Sequence, residues 1–132
     1  MRNLLITAII LTLGFCSSCQ KKNIETFDGS KLNITISKPF ESQIFKKGDT
    51  VFMSGNASYI GQLHGYELKI RNKATSEVYL DIDEHLHDSS FDIQTFWVDT
   101  LDKNADLIVT ITVEADHEGN SSSKEINFKS EL

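Results

Sequence analysis

From residue 32 onward apolar and polar residues alternate with a period of two, and this pattern more than any other limits what the chain can become. In the stretch 65–71, Tyr66, Leu68 and Ile70 alternate with Glu67, Lys69 and Arg71; in 77–83, Val78, Leu80 and Ile82 alternate with Tyr79, Asp81 and Asp83. A period of two puts one set of side chains on one face of an extended strand and the rest on the other, so each segment can bury one side and wet the other. An amphipathic helix needs apolar residues at every third or fourth position, and no stretch of ordinary helix length supplies them.

Seven strands follow from this pattern: 33–37, 50–58, 65–71, 77–83, 90–98, 107–115 and 123–128. Pro39 separates the first two, and the turn Asn72, Lys73, Ala74, Thr75, Ser76 joins the third and fourth as a hairpin. Short strands at turn-punctuated spacing over roughly 100 residues predict an all-β, seven-stranded antiparallel sandwich of the immunoglobulin or fibronectin kind, with a small open barrel as the competing outcome.

Ahead of the patterned region the chain reads as an address. Arg2 precedes an apolar run at 4–13, and small residues lead into Cys16 and Cys19. That order marks an export signal, and the run is about half the ~20 residues a spanning helix needs. The segment resembles the lipobox of Gram-negative bacterial lipoproteins, in which the cysteine after the cleavage site is acylated. Ser17 and Ser18 fit a peptidase pocket ahead of Cys19, whereas Phe15 precedes Cys16, and Cys16 stands where the motif usually has Leu. An ordinary secretory signal is the alternative.

The resemblance therefore implies a signal peptide over 1–18, an acylated Cys19 at the head of a flexible tether over 19–31, and a domain over 32–132. Cys16 then leaves with the signal, so no disulfide is available to the mature chain. Acyl chains contribute about 0.8 kcal/mol per buried CH₂, enough for two or three of them to hold the protein on a membrane without spanning it. The tether could keep the domain up to ~40 Å from the lipid surface.

The chain carries 13 Lys and Arg against 19 Asp and Glu; removing 1–18 takes Arg2 and no acid, leaving 12 against 19, a formal charge of −7. That balance argues against nucleic acid as a partner. The acids are spread along the chain, as on an ordinary solvated surface.

The four histidines are the chemically pointed feature. Tracing the antiparallel order puts His64 between the second and third predicted strands, His85 and His87 between the fourth and fifth, and His117 between the sixth and seventh. All four fall at one end of the sandwich. Along extended backbone His85 and His87 point the same way, and His117 or His64 could complete a metal site, with Asp83, Glu84, Asp88 and Asp116 close in sequence. Imidazole with carboxylate suits Zn²⁺ and could suit Cu²⁺ or Ni²⁺. The preferred expectation is that these are solvent-facing loop histidines next to acids; the metal site and a pH-responsive cluster are the alternatives.

Other constellations are weaker. Asp102, Asn104 and Asp106 match the opening of a calcium loop, but Leu107 stands where Gly is needed and Val113 where the bidentate Glu is needed. Asp116 to Asn120 reads as a tight turn with Gly119 at positive φ. No nucleophile elbow, zinc-protease helix, phosphate loop or mature cysteine nucleophile is present, so the expectation is that the protein is not an enzyme and has no catalytic residues. Phe96 and Trp97 are adjacent, so a regular strand sends one outward, where it could bind glycan or protein; the preferred expectation is that a bulge, or cover from a neighbouring strand or loop, shields both.

Gly48-Asp49-Thr50, Ser54-Gly55-Asn56-Ala57, His85-Leu86-His87 and Asp116-His117-Glu118-Gly119-Asn120 together resemble small Bacteroidota-type lipoproteins with an Ig-like or fibronectin-like domain and no assigned activity. The resemblance implies a bacterial cell-envelope location, lipid-anchored at the outer membrane on its periplasmic or surface face. The expected function is a non-enzymatic binding module that uses the loops at one end of the sandwich and takes an envelope protein or glycan partner without a cofactor. The alternative is a Zn- or Cu-binding lipoprotein using His85, His87, His117 and His64.

Overall fold

The computed structural model describes residues 27–132. The predicted signal, Cys16, Cys19 and most of the predicted tether lie outside the described residues. A one-turn 3₁₀ helix, Gly29–Lys31, is followed by six strands: β1 Asn33–Lys38, β2 Gln43–Lys46, β3 Thr50–Asn72, β4 Val78–Val98, β5 Ala105–Glu114 and β6 Ser121–Glu131. The described chain is all-β, as its period-two pattern requires. Among the described residues no helix is long and apolar enough to cross a membrane.

Hydrogen bonding runs β1-β3-β5-β6-β2, with β4 alongside β3. The two long strands organise this sheet. The first half of β3 pairs with β1 and with the second half of β4, Thr50 facing Val98 and Ser58 facing Ser90. Its second half pairs with the first half of β4 and with β5, Leu68 lying between Ile82 and Ile111. Between the halves the β3–β4 register is irregular, with shifts from Ser58 to Leu63 and from Leu63 to Gly65. The sheet curls there, and Val51, Met53 and Ala57 from the first half join Leu68, Ile70, Val109, Ile111, Val113 and Phe128 in one buried cluster. Burying each aliphatic side chain is worth about 1.5–3 kcal/mol, which lets this segment hold together without a disulfide.

The structure departs from the sequence reading in four places. The segments predicted as separate strands at 50–58 and 65–71 are one strand of 23 residues, and those at 77–83 and 90–98 are one of 21. Residues 59–64 keep extended geometry because Leu63 still pairs with Asp88 across the bend. β2 was not anticipated: it is four residues long and lies parallel to β6, Gln43 facing Phe128. Packing also begins earlier than residue 32. The Phe27 ring lies 5.6 Å from that of Tyr59, and Asp28 caps the 3₁₀ turn by accepting from the Ser30 N–H.

The fourth departure concerns Phe96 and Trp97. The ladder passes through both without a bulge, Phe52 facing Phe96 and Val51 facing Trp97. Strict alternation therefore turns Trp97 inward, stacked on Tyr79 at 6.1 Å, and leaves Phe96 60% exposed beside Phe52, itself 58% exposed. The expectation that both aromatics are shielded is corrected: regular pairing outweighed the gain from hiding one more ring. By contrast, the 72–76 turn forms as expected. Asn72 is buried, and its Oδ1 accepts from the N–H groups of Ala74 and Thr75 at 2.8 and 3.1 Å.

Candidate functional site: a four-histidine cluster

The bend in β3 and β4 brings the histidines together. His64 stands at the β3 bend, His85 and His87 lie two residues apart where β4 passes it, and His117 sits in the turn joining β5 to β6. Their six ring-to-ring distances run from 4.2 Å for His64 and His117 to 6.4 Å for His64 and His85. His64 lies 4.8 Å from His87, His85 lies 4.6 Å from His87, and His117 lies 6.0 and 6.2 Å from His85 and His87. A tetrahedral ion with metal–nitrogen bonds of about 2.0–2.1 Å holds its imidazole centroids about 5 Å apart, a value these distances bracket.

The rings are gathered rather than aimed. Among the described residues no three His, Cys, Asp or Glu side chains present donor atoms already placed to hold a metal ion. The two measures differ because centroid distances fix where the rings are, whereas ligation also needs their nitrogens turned inward. His85, His87 and His117 are exposed. Exposed side chains change rotamer on the picosecond-to-nanosecond scale, so turning these rings meets little resistance.

His64 is the fixed member. It is half-buried, and its Nδ1 is cut off from solvent without a hydrogen-bond partner. A buried ring nitrogen left alone carries a desolvation penalty that a bound ion or a water would relieve. Burial holds the His64 imidazole below the usual histidine range; His117, His87 and His85 push the same way, and only Asp116 opposes them. The ring is therefore neutral near pH 7, the state a metal ligand needs.

Two features of the backbone hold the ligands in place. Gly65, at φ +143°, faces His85 in the ladder, and a Cβ there would meet the Glu84 carbonyl oxygen at 2.1 Å. This close approach of β3 to β4 fixes the backbone that carries His64 beside the backbone that carries His85 and His87. The 116–120 turn is tied by Asp116, whose Oδ2 accepts from the Asn120 side chain at 2.6 Å and whose Oδ1 accepts from the N–H groups of Glu118 and Asn120. The Asn120 amide leads in holding the Asp116 carboxyl below the usual carboxylate range. Gly119 takes φ +89°, as the turn reading expects. Gly65 was not singled out by the sequence reading, since a glycine there reads equally well as a loop residue.

The other candidates do not converge. Asp102 pairs with Lys47, Asn104 accepts from the Leu132 N–H at 2.9 Å, and Asp106 lies 3.6 Å from Lys129. Three partners in three places leave no calcium loop. Asp99 is 1% exposed; its Oδ1 accepts from the Leu101 N–H while its Oδ2 is without a partner.

No family model and no curated protein matches the chain. Among solved structures it is similar to catalytically inactive OgpA from Akkermansia muciniphila in complex with an O-glycopeptide, at 13% identity and a TM-score of 0.50 over 82% of this chain; it spans 31% of the OgpA chain. It is also similar to the fibronectin(III)-like modules of Clostridium thermocellum CbhA, at 11% identity and a TM-score of 0.44, covering 75% of this chain and 96% of that one. A third likeness is to the CARDB domain of a Pyrococcus furiosus protein in complex with di-metal ions, at 9% identity and a TM-score of 0.40, covering 77% and 93%. At such identities the likenesses concern the fold alone.

Proposed function

We propose that this chain is a lipid-anchored, non-enzymatic binding module of the bacterial cell envelope. Its all-β domain is an Ig-like or fibronectin-like sandwich held to the membrane through Cys19. Its ligand is a divalent transition-metal ion, Zn²⁺ or Cu²⁺, taken by His64, His85, His87 and His117 at one end of that sandwich. One observation carries the metal reading: four imidazoles from three separate segments lie within 6.4 Å of one another, one of them with a buried, unpartnered nitrogen.

All-nitrogen donors without thiols suit zinc, copper and nickel and are poor partners for calcium or magnesium, which prefer oxygen.

Titration calorimetry of residues 24–132 with Zn²⁺ and with Cu²⁺ tests this reading. This segment contains the whole described core. One ion per chain at micromolar affinity or tighter, lost in a His85→Ala/His87→Ala variant, is the expected result. Absence of binding returns the histidines to the status of surface residues and directs the search to protein or glycan partners.

A further inference from the structure

We infer that the ion at the four-histidine cluster is an exchangeable cargo, which enters and leaves the folded protein through direct handover to another ligand, rather than a structural staple. This inference rests on the metal-binding reading above and adds what the site does with its ion.

Three observations carry it. First, the segments that present the ligands are each held by contacts of the chain itself. His64 and His85 are positioned by the Gly65 crossing of β3 and β4, and His117 by the Asp116 and Asn120 turn closed by the Ala115 N–H bonding to the Asn120 carbonyl. Second, the hydrophobic cluster beneath is built of Val51, Met53, Leu63, Leu68, Ile70, Ile111 and their neighbours, all buried without any contribution from the histidines. In a structural metal domain the ion's binding energy supplies the folding energy; here the core supplies it. Third, the ligands are unequal. His85, His87 and His117 are exposed, and only His64 is half-buried.

That inequality sets the route of transfer. An incoming donor can reach the ion from the solvent side while His64 still holds it from beneath. One exposed imidazole leaves as the donor's bond to the metal forms, so the coordination number is kept. The remaining exposed rings follow, and His64 lets go last. The ion keeps its charge, each metal–nitrogen bond that breaks is replaced by a bond to the acceptor, and no electron moves. An acceptor with nitrogen, sulfur or carboxylate donors satisfies this chemistry.

The test is transfer kinetics on residues 24–132 loaded with one equivalent of Zn²⁺, using the chromophoric chelator 4-(2-pyridylazo)resorcinol as acceptor in excess. The account expects the observed rate to rise about tenfold when chelator rises tenfold, because the acceptor takes part in the step. It also expects His117→Ala to transfer faster, and the metal-free protein to unfold cooperatively with its core intact. A rate indifferent to chelator concentration and equal to the unfolding rate overturns the cargo assignment while leaving metal binding in place. A metal-free protein that is unfolded overturns it as well. Failure of the chain to take up zinc removes the binding reading itself, and the inference with it.

Discussion

Gly65 faces His85 across the β3–β4 ladder so closely that a Cβ on Gly65 would lie 2.1 Å from the Glu84 carbonyl oxygen. The backbone φ of +143° is also one that other residues rarely adopt. Gly65→Ala is therefore expected to cost about 2–4 kcal/mol through combined clash and strain. It should also weaken metal binding by moving the His64 segment of β3 away from the His85 and His87 segment of β4. Chemical denaturation and zinc titration of the same variant check both; unchanged stability contradicts the close crossing.

His64→Leu separates function from stability. The native ring has a buried Nδ1 with no partner, and removing such a group restores about 1–3 kcal/mol of desolvation cost. The variant is predicted to be at least as stable as the parent without metal and to have lost tight metal binding. Thermal melts with and without zinc decide this. A large loss of metal-free stability would assign His64 to the core instead.

Glu125 accepts from the Thr110 hydroxyl and from Arg71, both at 2.9 Å, and these bonds hold its carboxyl below the usual carboxylate range, the Thr110 bond foremost. A carboxyl depressed in the folded state adds stability above its unfolded value near 4.5, and that stability is lost as pH falls through the folded value. Glu125→Gln should thus cost at neutral pH, within the roughly 0.2–1 kcal/mol expected of a partly exposed pair, and should cost nothing once the pH is below both values. Melting temperatures of the two proteins at pH 7 and in strong acid measure the difference.

Trp97 and Phe96 give an internal control on the strand register. Trp97→Ala removes a ring packed inward on Tyr79 and is expected to cost about 3 kcal/mol, whereas Phe96→Thr removes an exposed ring and should change stability by less than about 1 kcal/mol. Equal losses would mean that a partner or a shifted register covers Phe96.

Much of this arrangement was legible in the sequence, for identifiable reasons. Alternation such as Leu68, Lys69, Ile70 determines which face is buried regardless of what lies opposite, so the inward residues of β3 and β5 could be read directly; at the start of β4 the ladder shifts register, leaving Val78, read as inward, 48% exposed and Tyr79, read as outward, packed on the core. The grouping of the four histidines could be read from antiparallel order, although only His117 lies in a connection: His64 is within β3, and His85 and His87 are within β4. Continuity through the bend was not legible: Gly61 and Gly65 signal a loop as readily as a bent strand, and only the pairing of Leu63 with Asp88 shows which. Nor was β2, since four residues between Pro39 and Gly48 carry too little pattern to reveal a parallel pairing with β6. The exposure of Phe96 was not legible, because whether a bulge or a covering segment interrupts the alternation at Phe96 and Trp97 depends on the ladder opposite, which runs through both without a shift. That His64 has its Nδ1 buried while its three neighbours are exposed depends on long-range packing, which sequence spacing does not encode.

Anchoring is checked by metabolic labelling with a palmitate analogue in a Gram-negative host. Cys19→Ser is expected to abolish labelling and membrane association, and Cys16→Ser to preserve both. The reverse outcome would relocate the anchor and leave Cys19 as a free thiol.

The most direct measurement on the cluster is X-ray absorption spectroscopy of the zinc-loaded protein. The account predicts four nitrogen ligands at about 2.0–2.1 Å with the outer-shell scattering of imidazole rings. A spectrum dominated by oxygen ligands, or one unchanged by His85→Ala/His87→Ala, would contradict it.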